Sequence, residues 1–111
     1  MGLLSFLDRG RHAGLIQQLS AQIAHRCHAP VWATVRRRAT AMRLTEARGY
    51  VRARAAQMVA SEVAAALSSR PQVGRDVEAE LVTRTTDGVV SLVFRDLLNL
   101  PPCTLPSRHV A

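Results

Sequence analysis

Residues 31–70 read VWATVRRRATAMRLTEARGYVRARAAQMVASEVAAALSSR. The stretch lies between Pro30 and Pro71, holds no proline, and is rich in Ala, Arg, Val and Met. Ala and Arg are strong helix formers, and Gly49 is the one weak position. The composition predicts helix almost throughout and makes 31–70 the central helical element of an all-α fold. A single helix of this length would run about 60 Å. A compact domain of this size has a radius of gyration of only about 13 Å. Either the molecule is elongated and assembles, or the helix breaks. A break is expected near Leu44-Thr45, with Thr45 as N-cap and Glu46 in the first turn that follows. Before it, Trp32, Val35, Ala39 and Met42 share a face. After it, Val51, Ala55, Val59, Val63 and Leu67 form a four-residue row, the candidate core and interaction face. Ala53, Ala60 and Ala64 lie opposite and are small enough to admit another backbone.

Toward the N-terminus, residues 11–28 carry Leu15, Ile16, Leu19, Ile23 and Cys27 at helical spacing, with Gln17, Gln18, Gln22 and Arg26 largely away from that face. Ala29-Pro30 is expected to end this helix, because the residue before proline avoids the α region. Leu3, Leu4, Phe6 and Leu7 suggest a short amphipathic turn, and Gly10 and Gly14 weaken an early helix. Toward the C-terminus, residues 76–98 admit two readings. Thr86-Asp87-Gly88 between apolar segments is a hairpin signal. The row Val77, Leu81, Thr85, Val89, Val93, Leu97 and its neighbour Val82, Val90, Phe94, Leu98 have the period of a helix, and helix is the reading preferred. The fold expected is a bundle of three to five helices in one domain over residues 1–100, with 101–111 a flexible tail after Pro101-Pro102.

The chain has 111 residues and a net charge of +7, and all fifteen basic residues are arginine. Arginine recognises phosphate and carboxylate through a bidentate fork. Here the bias covers the whole chain, as a GC-rich genome would also produce. Only four residues are aromatic, so the core must be aliphatic. Two cysteines, Cys27 and Cys103, are too few for a disulfide framework. Reduced thiols, no visible signal peptide and no apolar run long enough to span a membrane together suggest a cytoplasmic protein. Met1-Gly2 lacks the Ser or Thr at position 6 that myristoylation needs.

His25, Cys27, His28, Cys103 and His109 are zinc-ligand residue types. On a helix, however, Cys27 points away from His25 and His28, so no metal or cofactor site is read. His12 falls on the apolar face. The eight carboxylates form no catalytic pair, and no nucleophile elbow or phosphate-cradling glycine loop occurs. No enzyme and no small-molecule substrate are expected. Glu62 lies on the apolar side of its helix and is expected to pair with an arginine from another helix.

The remaining feature is charge. Arg36, Arg43, Arg48, Arg52 and Arg54 are candidate anion contacts in the segment 26–54, where Glu46 is the only carboxylate. Arg36 and Arg43 would share one side of a continuous helix. Two functions follow. One is a non-enzymatic helical interaction protein that packs with a protein partner or with itself. The other is sequence-nonspecific nucleic-acid binding. Convergence of the arginines on one open face would favour the second. Dispersal, or pairing with Glu78 and Glu80, would favour the first.

Overall fold

A computed structural model describes the backbone of residues 2–70 and 73–100, and the side chains of 13–70 and 73–100. It contains three helices: α1, Gly2–Thr40; α2, Leu44–Leu67; and α3, Arg75–Leu98. Each packs against the other two, and there is no strand among the described residues. The side chain of His12, and the positions of Cys103, His109 and the expected tail 101–111, lie outside the described residues.

The break after α1 falls close to where the sequence places it, but its chemistry differs. Arg43, not Thr45, is the N-cap, with extended backbone at φ −66° and ψ 156°. Its N–H donates to Glu46 Oε1 at 3.2 Å. Glu46 therefore reaches back from the first turn to satisfy a backbone donor, which is the carboxylate half of a capping box. Thr45 lies inside α2.

Pro30 does not end a helix, contrary to the sequence expectation. The chain stays helical through it to Thr40. The reason is tertiary. Ile23, Cys27, Val31, Val35 and Ala39 form one four-residue row across the proline, each no more than 4% exposed. An interior proline costs a helix about 3 kcal/mol. Burial of Val31 and Val35, both beyond the proline, contributes about 1.5–3 kcal/mol each and offsets that cost. Pro30 itself faces solvent.

The segment 76–98 is helical, as its period indicates. Gly88 does not interrupt α3; a Cβ built there would stand 3.4 Å from Ala24 Cβ. A methyl group at that position would meet α1 at van der Waals contact. Asp87, the other half of the hairpin signal, pairs with Arg52.

The core consists of three rows at four-residue spacing. Val51, Ala55, Val59 and Val63 of α2 are fully buried, as are Leu81, Thr85, Val89 and Val93 of α3. A row of period four drifts about 40° per step on a straight helix. Apolar periods longer than 3.6 favour a right-handed wrap of helices. The hydroxyls of Thr85 and Thr86 are buried without a hydrogen-bond partner. The topology is up-down-up, so the C-terminal end of α1, the start of α2 and the C-terminal end of α3 lie together. The molecule is elongated, 69 × 23 × 20 Å with a radius of gyration of 17.6 Å. The helix breaks, as the sequence reading expects, and the molecule is still elongated because α1 runs about 58 Å.

Candidate functional site

The apolar row offered as an interaction face is spoken for. Val51, Ala55, Val59 and Val63 are at 0% exposure inside the bundle, and Leu67 is half-buried against them.

Polar side-chain pairs bridge the helices around that core. Arg26 Nη1 lies 3.4 Å from Glu62 Oε1, joining α1 to α2 as the position of Glu62 anticipates. His28 Nε2 and Asp96 Oδ2 are 2.6 Å apart between α1 and α3, and Arg95 approaches the same carboxylate at 3.4 Å. Arg52 Nη2 and Asp87 Oδ1 meet at 2.6 Å between α2 and α3. These groups are partly or largely exposed, so each pair contributes at most about 1 kcal/mol. Cys27 is buried between Ile23 and Val31 in the α1 row, and His25 is exposed. Burial pushes the Cys27 thiol pKa up, the nearby Glu62 carboxylate pushes it further, and Arg26 opposes them. Among the described residues, no three His, Cys, Asp or Glu side chains gather where they could hold a metal ion.

The five candidate arginines divide differently from the sequence reading. Arg36 and Arg43 do not share a helix side, because α1 ends at Thr40 and Arg43 caps α2. Arg48 and Arg52, one turn apart, line the groove between α2 and α3. The Arg48 guanidinium stands 5.7 Å from the centre of the Phe94 ring. With Asp87, Val90 and Ser91 they border a shallow cavity of ≈ 310 Å³. Arg54 lies about 200° around α2 from Arg52, its guanidinium 5.8 Å from the Tyr50 ring. None pairs with Glu78 or Glu80; Glu80 instead holds Arg84 at 3.1 Å. The arginines do not form one flat face.

They do collect at one end. Residues 31–54 carry seven arginines against Glu46, and the α3 segment beside them, 87–98, adds Arg95 against Asp87 and Asp96, for a net +5. The rest of the described chain, residues 2–30 and 55–86, carries six arginines and five carboxylates, for a net of +1. At the charged end Arg36, Arg37, Arg38, Arg43, Arg48 and Arg54 are all exposed, and none has an ion-pair partner among the described residues. Arg37 and Arg38 occupy the last turn of α1, where cations interact favourably with the negative end of the helix dipole. Sequence reasoning found these residues but not their grouping, which depends on the path of α3. No family model, no curated protein and no solved structure matches the chain.

Proposed function

We propose that the protein is a non-enzymatic helical interaction protein. The closed bundle is a rigid stem, and the arginine-bearing end meets an anionic partner. The observation that carries this reading is the segregation of charge: a net +5 at one end and +1 over the remainder of the described chain. Concentrated charge of one sign raises the rate and strength of encounter with oppositely charged surfaces. The use of all three apolar rows in the monomer core supports placing the contact at this end.

A matched pair of variants tests the reading. Arg36→Gln/Arg43→Gln and Arg75→Gln/Arg84→Gln remove equal charge from opposite regions. On immobilised heparin, the first is expected to elute at clearly lower salt than the parent and the second near it. Equal shifts would show that net charge alone acts.

The six unpaired arginines also favour the second reading, nonspecific binding of nucleic acid. Each phosphate contact adds about 0.9 to the magnitude of the log–log salt slope on duplex DNA. If both Arg36 and Arg43 touch phosphates, replacing them lowers that magnitude by roughly 2. An unchanged slope would remove this reading.

A further inference from the structure

The arginine-bearing end also carries exposed apolar surface, and the two features together select a partner. Among the described residues the large hydrophobic side chains that remain exposed are Leu44 at 58%, Leu98 at 76% and Leu100 at 40%. All three belong to this end. α2 and α3 run antiparallel with Arg48 set over Phe94. One turn further along each helix, the same register brings Leu44 and Leu98 to the same level of the bundle, and Leu100 follows Leu98 at this end. Arg43 and Arg48 flank Leu44 in sequence, and the last turn of α1 contributes Arg37 and Arg38.

The geometry points to docking of this end on the surface of an anionic phospholipid bilayer, with the leucines entering the headgroup boundary and the arginines on lipid phosphates. The inference rests on the reading of this end as an anion-contacting surface. Two arguments favour a bilayer. First, exposed leucines gain nothing from a phosphate backbone in water, but they gain burial at a lipid interface. Second, arginine places its apolar stem along such an interface while its head stays at the phosphates. No described helix is long and apolar enough to cross a membrane, so the contact is superficial.

The test is co-sedimentation of the full chain with phosphatidylcholine vesicles, with and without phosphatidylserine, alongside anisotropy with duplex DNA in the same buffer. Partition is expected only onto the phosphatidylserine vesicles. Each arginine near such a surface contributes about fivefold, so Arg36→Gln/Arg43→Gln lowers partition about 25-fold. Leu44→Ser/Leu98→Ser lowers it roughly tenfold or more and leaves DNA binding unchanged. Both leucines are exposed, and thermal melts of this variant should match the parent. Arg75→Gln/Arg84→Gln changes partition little. No partition onto anionic vesicles overturns the inference, as does partition indifferent to the leucines. If DNA or vesicle binding still depends on Arg36 and Arg43, the broader reading of this end survives that failure. If Arg75→Gln/Arg84→Gln weakens binding equally, the broader reading falls too.

Discussion

Replacing Pro30 by alanine should stabilise the protein. In α1 the proline supplies no N–H to the Arg26 carbonyl, and its ring crowds that carbonyl. The position is exposed, so the substitution removes no core contact. Restoring the missing bond and relieving the crowding is worth up to about 3 kcal/mol. Against this, alanine enlarges the conformational freedom of the unfolded chain by about 0.4–1 kcal/mol. The net expectation is roughly 2 kcal/mol of added stability, which for a domain of this size raises Tm by about 8–16 °C. Thermal melts followed by circular dichroism at 222 nm, with urea unfolding as a second measure, read the effect. The urea m value should not change. A lower Tm for Pro30→Ala would refute the reasoning, because it would mean that the proline sets a helix end that the native fold needs.

Val59→Asp places a carboxylate in the fully buried α2 row and should cost about 3 kcal/mol or more; an unchanged Tm would contradict the packing of α2. Thr85→Val keeps the side-chain shape and removes a buried hydroxyl that has no partner, so it should raise stability by about 1 kcal/mol in urea melts; a loss would show that the hydroxyl is satisfied in solution. Arg52→Ala breaks a largely exposed pair with Asp87 and should cost at most about 1 kcal/mol by chemical denaturation; a much larger loss would mean that this pair determines the fold. In a Cys103→Ser background, Cys27 should resist thiol reagents until the protein unfolds. Its raised thiol pKa favours the protonated folded form, so the associated stability is present below the ordinary thiol range and declines as pH rises through it; rapid native labelling would contradict its burial.

The helical class and most of the core were legible in period-four spacing. Val51, Ala55, Val59 and Val63 fall where the pattern puts them, and the same argument correctly outweighs the turn signal at Asp87-Gly88. The error at Pro30 has a definite origin. Proline chemistry is local, whereas the row Ile23, Cys27, Val31, Val35, Ala39 is a longer-range signal that crosses it at unbroken spacing. Followed through the proline, that row would have given the full α1. Thr45 has a side chain that can accept a backbone bond, but the helix starts earlier, where the carboxylate of Glu46 accepts from the Arg43 N–H. The charged end was only half legible. Local sequence identifies the arginines, yet their distance from Glu78 and Glu80, and their meeting with Leu98 and Leu100, follow from the direction in which α3 returns.

The most direct test of the account maps where an anion touches the molecule. A short heparin oligosaccharide is titrated into ¹⁵N-labelled protein and amide shifts are followed residue by residue. The predicted changes concentrate in residues 31–54 and 87–100 and leave 55–86 nearly still. Changes spread evenly along the rod, or centred on the end that holds Arg70 and Arg75, would contradict the account.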